Sequence, residues 1–254
     1  MGVIEEIVMR QNGTTVLLMA GAIAQLTGSA MGAGVTNGGF RNGLSGWTPV
    51  TAEQQIWIGD TITTVEVLET ASPNFPATQR AVAHVRASAF ALGGEGCPPQ
   101  IPEDGGIPTQ TIFGFSDASA AITQVVDSID ATTLTMDVAA EMKVSSIIFA
   151  ETWADSSVVV TRVASPDDSG PPVSIEVPLA QSLYFFGVEC DATGESSSLP
   201  FTTLSINLAQ AGFAPGDTIR ITIEARATVE GILPRMLGHS DVDVWVDNVR
   251  LGGS

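Results

Sequence analysis

Chemistry has few places to reside in this chain. Its two histidines, His84 and His239, lie far apart, and neither has a second histidine or a cysteine at metal-ligand spacing. There is no Gly-x-Ser-x-Gly elbow, phosphate-binding glycine loop or His-Glu-x-x-His helix. Gly114-Phe115-Ser116 lacks the second glycine that an elbow needs. A glycoside hydrolase requires two carboxylates across a cleft. Glu151, Asp155, Glu189 and Asp191 are the candidates for such a pair, with solvated loop charges as the plainer reading. Asp167-Asp168 sits among turn residues, where a local calcium site is the alternative to an ordinary loop. The expectation is a protein that is not an enzyme.

Recognition is better supplied than catalysis. A flat aromatic ring stacks on the apolar face of a sugar while polar neighbours bond its hydroxyls. Of four tryptophans, Trp57 and Trp153 are the candidates for ligand binding, and Tyr184, the only tyrosine, is the third. Trp153 stands in Glu151-Thr152-Trp153-Ala154-Asp155, a polar context that a core strand avoids. Trp47 reads as core. Trp245 shares a strand face with Asp243 and Asp247, opposite Val244 and Val246, so it either caps the sandwich or lies on its surface.

The charge narrows the partners. Twenty-eight acidic residues stand against 10 basic ones, a formal charge of −18, and Lys143 is the only lysine. Such a surface repels nucleic acid and anionic membranes and attracts cations such as Ca²⁺.

Arg10, an apolar run over 14–26 and the small residues Gly28 and Ala30 form the layout of a secretory signal cleaved after Ala30. The run is too short and too rich in Gly and Ala for a good transmembrane helix. Glu5 and Glu6 are unusual ahead of such a run, and a start at Met9 would remove them. The competing reading is a buried N-terminal helix. The expected organisation is therefore a signal peptide over 1–30 and one domain over 31–254, in a secreted, extracellular or periplasmic protein without a membrane anchor. Cys97 and Cys190, both in turn-rich stretches, are expected to pair in such a compartment. A loop of that length contributes about 4–5 kcal/mol in the chain-entropy model; two unpaired thiols are the alternative.

The elements that must position these residues are strands. Gly, Pro, Asn or Asp recur every ten residues or so, and the runs between them are rich in Val, Ile and Thr. That spacing predicts a sandwich or barrel. Residues 218–226 alternate cleanly, with the isoleucines facing a core and the Arg, Thr and Glu residues facing outward. Residues 122–126 and 133–138 read as the arms of a hairpin. Residues 93–110, 164–172 and the Ser-rich 191–198 read as loops.

Two terminal signatures carry a family resemblance. Asn37-Gly38-Gly39-Phe40-Arg41 is followed by Trp47, and Val244-Trp245-Val246-Asp247-Asn248-Val249 closes the chain. Together they resemble the galactose-binding-like jelly rolls, which include many carbohydrate-binding modules and secreted bacterial proteins. The resemblance covers about half of the expected mature chain. It implies that the two segments lie side by side, and that residues 122–126 form the family's Gln-containing strand. It also implies that Leu204 to Ile223 form its penultimate hairpin. In that family a Glu after the opening Phe joins the Asp of the closing strand around a structural Ca²⁺. Here the metal residue would be Asp247, and Arg41 stands at the Glu position, where it could pair with Asp247 instead.

The expected fold is all-β, an antiparallel β-sandwich of jelly-roll type with loop insertions. The expected function is a secreted, non-catalytic binding module for a polysaccharide or cell-surface glycan, or for adhesion. The alternative is a self-associating structural subunit of an extracellular matrix or filament.

Overall fold

Alternation decides the layers. In Ile219–Gly231 the residues Ile219, Ile221, Ile223, Ala225, Ala227 and Val229 are buried, while Arg220, Arg226 and Glu230 face solvent. That is the period of a strand with one buried face, and it matches the reading from sequence. The computed structural model describes residues 34–56, 59–68, 81–92, 114–147, 150–163, 172–187, 193–231 and 237–252. The expected signal peptide, Trp57, Cys97, Cys190, Glu189, Asp191 and Asp167-Asp168 lie outside the described residues. The strands all fall within the unit Met31–Ser254.

The described residues form two antiparallel sheets and no helix. The first sheet contains β1 (Thr48–Ile56), β4 (Gly114–Val126), β10 (Ile219–Gly231), β6 (Ala150–Arg162) and β7 (Ser174–Pro178), in that order, with β8 (Leu183–Phe186) also on β6. The second runs β2 (Gly59–Leu68), β3 (Val82–Leu92), β11 (Leu237–Gly252), β5 (Thr133–Ile147) and β9 (Thr193–Asn207). This is the antiparallel sandwich that the strand pattern predicts. No helix among the described residues is long and apolar enough to cross a membrane.

The layers are not evenly spaced. At one end the inner faces carry Ile122, Ile219, Ile221, Leu134 and Met136, all buried. Toward the other end they carry Ala118, Ala225, Ala227, Ala89, Ala91 and Gly238. Small residues bring the sheets close there. Ser116 Oγ of β4 donates to the Phe90 carbonyl of β3 at 2.9 Å, and Ser240 Oγ of β11 donates to the Trp153 carbonyl of β6. A Cβ on Gly238 would stand 2.5 Å from Val229 Cγ1 in the opposite sheet.

The wide end is closed by residues 36–47. Phe40 and Trp47 pack at 5.4 Å between ring centroids, both buried. The buried Gln124 accepts from the Thr36 N–H at 2.8 Å and donates to the Thr36 and Gly46 carbonyls at 2.9 and 2.7 Å. The Val249 N–H donates to the Gly38 carbonyl at 2.9 Å. The two terminal signatures therefore lie side by side, as the resemblance implies.

Three expectations are corrected. Residues 122–126 and 133–138 are not a hairpin: β4 and β5 belong to opposite sheets. The turn between them buries Ile129, whose N–H donates to the Asp217 carbonyl and whose carbonyl accepts from the Gly216 N–H. A buried apolar residue in the turn makes it an arch over the core. The same holds for β9 and β10, so the stretch from Leu204 to Ile223 also crosses between sheets. Finally, most of the Ser-rich stretch is strand, not loop. It opens β9 at the edge of the second sheet, paired with Lys143, Met142 and Glu141 of β5. An edge strand keeps its side chains largely in water, so serines fit there, and Pro200 is accommodated where the register shifts opposite Ala139.

Candidate functional site

Cross-strand register brings two of the candidate aromatics together. Trp153 of β6 and Tyr184 of β8 are directly paired, so both side chains stand on the outer face of the first sheet. Their ring centroids are 5.5 Å apart, inclined at 45°. Trp153 is half-buried, and Tyr184 is 54% exposed. Phe186, two residues further along the same face, is 39% exposed. The period-two rule places Leu183 and Phe185 inward and Tyr184 and Phe186 outward. The sequence reading passed over Phe186, although the alternation in Leu183-Tyr184-Phe185-Phe186 was the signal that exposes it.

Polar groups flank this apolar strip. On the neighbouring strands Asp117 of β4 faces Thr228 of β10, and Thr228 faces Trp153. Asp117 accepts from Arg226 Nε and Nη2 at 3.2 and 3.3 Å, and from Thr228 Oγ1 at 2.6 Å. A two-toothed guanidinium–carboxylate contact holds both groups in a fixed plane. One rung further, Glu230 lies opposite Glu151, and Glu151 lies opposite Phe186. Glu151 and Asp155 are thus strand residues on an exposed face, not loop charges.

The outer face of the second sheet is built differently. His84 Nε2 lies 2.8 Å from Asp243 Oδ1, and its Nδ1 lies 3.2 Å from Glu66 Oε1. Only the imidazolium can donate to both. Burial pulls the His84 pKa down, but the hydrogen bonds and charges of Asp243 and Glu66 outweigh it and raise it. The ring stacks on Trp245 at 5.3 Å, 10° from parallel. Trp245 is 7% exposed, so it lies on the sheet's outer surface but is covered. Arg86 Nη2 donates to Asp241 Oδ1 at 3.2 Å, and His239 Nε2 lies 3.0 Å from Asp241 Oδ2. Burial raises the Asp241 pKa, but bonds from His239, Ser88 and Arg86 overcome it and hold the carboxyl well below its usual range. In this cluster the carboxylates are matched by internal cations. Both histidines are satisfied strand residues.

Asp247 lies at the junction of the termini. It is 5% exposed, and its Oδ1 accepts from the Asn248 N–H at 2.6 Å. Burial, together with the nearby charge of Asp137, pushes its pKa up to about 6 against the opposing effects of the Asn248 bond, Arg41 and Arg250. Asp137 itself accepts from Thr203 Oγ1 and Asn248 Nδ2 at 2.7 and 2.8 Å. Calcium takes 6–8 oxygen ligands, several of them carboxylates. Here three of the four carboxylate oxygens of Asp247 and Asp137 already receive N–H or O–H donors, two guanidinium charges lie nearby, and no group of three acidic, His or Cys residues among those described could hold a metal. These residues do not fit a calcium ion.

No protein-family model matches the chain, and no curated protein matches it in sequence. Among solved structures it is similar to carbohydrate-binding modules from the β-sandwich superfamily, at 12% identity over 85% of this chain and 61% of that one, TM-score 0.28. It is also similar to the enzymatically active domain of tailspike protein 4 from bacteriophage CBA120, at 14% identity over 86% of this chain and 21% of that one, TM-score 0.30. A third similar structure is TmCBM61 in complex with β-1,4-galactotriose, at 14% identity over 86% and 96%, TM-score 0.27. The chain spans less than two thirds of the length of the first two.

Proposed function

We propose that this chain is an exported, non-catalytic carbohydrate-binding module, and that its binding surface is the outer face of the first sheet around Trp153 and Tyr184. The observation that supports this reading is the Trp153–Tyr184 pair on the outer face, a half-buried indole beside an exposed phenol ring. An apolar ring surface held in water by two hydrogen-bonded strands has a cost that packing does not explain. Beside it, the Asp117–Arg226–Thr228 cluster offers hydroxyl-bonding groups held in place. Rings for the C–H face of a sugar and fixed polar groups for its hydroxyls are what glycan recognition needs.

Affinity electrophoresis against a panel of soluble polysaccharides tests the reading. One or more should retard the chain, and Tyr184→Ala should abolish the retardation while leaving the thermal melt in place. If no glycan binds, or if binding ignores Tyr184, the reading falls.

A second reading, a self-associating extracellular subunit, has one observation in its favour. The side chains of β1 are exposed from Thr48 to Gln55, and the strand forms an open sheet edge. Pro49 and Glu53 on that edge are features that discourage pairing with another strand. A mass that rises with concentration in light scattering would favour this reading over the first.

Export rests on residues 1–30. Sequencing the amino terminus of the secreted product should show a start at Met31, and thiol titration of that product should find Cys97 and Cys190 oxidised.

A further inference from the structure

Many carboxylates on the two outer faces are matched to internal cations, although Asp137 and Asp247 are directly opposed across β5 and β11 of the second sheet. On the second sheet, Glu66, Asp241, Asp243 and Glu141 each face an internal cation: His84, Arg86, His239 or Lys143. On the first sheet Asp117 is likewise matched by Arg226. At the aromatic strip the matching stops. Glu151 and Glu230 are directly opposed across β6 and β10, and among the described residues neither has an ion-pair partner. Like charges directly opposite across a ladder are destabilising. Asp155, exposed on the same face two residues beyond Trp153, is reached by Arg226 only through space.

Strands lie about 4.8 Å apart, and alternate residues along one lie about 6.7 Å apart. Glu151 and Asp155 therefore flank Trp153 along β6, and Glu230 lies diagonal to it on β10, each about 7–8 Å away along the sheet. Aromatic faces attract cations, and the attraction adds to that of a neighbouring carboxylate. The chain's overall charge of −18 favours the same sign of ligand over longer range.

We infer that the ligand of this face is a cationic glycan, a polymer of amino sugars with free ammonium groups. Its sugar rings lie on Trp153 and Tyr184, and its ammonium groups meet Glu151, Glu230 and Asp155. The inference rests on the carbohydrate-binding reading above and adds the ligand's charge. No bond is made or broken. A uronic-acid polymer is excluded from the face by the same carboxylates.

Calorimetric titration of the secreted chain at mildly acidic pH, with the amines protonated, separates the two claims. The probes are hexamers of β-1,4-linked glucosamine, N-acetylglucosamine and glucose. The glucosamine hexamer should bind about tenfold more tightly than the other two, the effect of one added cation–aromatic or charge contact. The double variant Glu151→Gln, Glu230→Gln should remove that preference, bringing the glucosamine hexamer to the affinity of the neutral two. Tyr184→Ala should weaken all binding. Equal, Tyr184-dependent affinity for all three would overturn the cationic ligand and leave a glycan-binding face. Glucosamine binding that survives Tyr184→Ala would be diffuse attraction to an acidic protein and would overturn the inference. Failure of every hexamer and polysaccharide to bind would remove the carbohydrate reading as well.

Discussion

Trp153 and Tyr184 face each other across the β6–β8 ladder with centroids 5.5 Å apart, and more than half of the tyrosine is in water. An exposed ring contributes little to folding, so the two residues should separate under substitution. Tyr184→Ala is expected to change stability by less than about 1 kcal/mol. Trp153→Ala should cost more, roughly 1–3 kcal/mol, because the indole is half-buried. Urea denaturation gives both values. A larger loss for the tyrosine variant would mean that the pair serves packing.

The closure of the wide end depends on close backbone approach. A Cβ on Gly38 would lie 2.0 Å from the Val249 carbonyl oxygen, a backbone atom with little freedom to retreat. Gly38→Ala should therefore destabilise the fold by about 2–4 kcal/mol. Gln124→Leu should cost about 1–3 kcal/mol, since it removes the three hydrogen bonds that the buried amide makes to the Thr36 N–H and the Thr36 and Gly46 carbonyls. Near-neutral behaviour of both variants in denaturant titrations would contradict the stitching of the termini.

The histidines of the second sheet should make stability depend on pH. The folded-state pKa of His84 is raised by Asp243 and Glu66, and that of His239 by Asp241. Their contribution is fully present below the unfolded histidine value of about 6.5 and is lost as pH rises through the folded values. Asp241, held low, acts at the other end: its contribution is present above the unfolded carboxylate value and is lost as pH falls below it. The unfolding free energy should decline on the alkaline side of about pH 6.5. His84→Gln should flatten that decline. A wild-type curve that rises over the same span would reject the doubly paired imidazolium.

Calcium should be without effect on folding. Asp247 and Asp137 already receive hydrogen bonds from Asn248 and Thr203, and Arg41 and Arg250 supply positive charge nearby. Melting temperatures in millimolar calcium and in chelator should coincide. A substantial calcium-dependent rise would show that further ligands complete a shell.

Which residues turn inward was legible from local pattern. Residues 218–226 and 241–247 alternate, and a strand with one buried face must alternate. The buried Trp47 and the juxtaposed terminal signatures followed from specific residues. The hairpin readings failed because a polar turn between two apolar runs looks the same whether the chain doubles back within a sheet or arches to the facing one. The buried Ile129 was the clue to the arch, and its burial depends on Asp217 and Gly216, far along the chain. The Ser-rich opening of β9 was misread because an edge strand gains its hydrogen bonds from a neighbour and needs little apolar content of its own.

The chain's order of residues was enough to specify a two-layered β protein with an acidic surface, since periodicity and charge are properties of short segments. It also singled out Trp153 and Tyr184 one at a time. Their meeting on a single exposed face was decided by the pairing of β8 with β6. The direct opposition of Glu151 and Glu230 beside them was decided likewise, by the pairing of β6 with β10. Register between distant strands is set by how whole faces pack, and no local stretch of sequence carries that information.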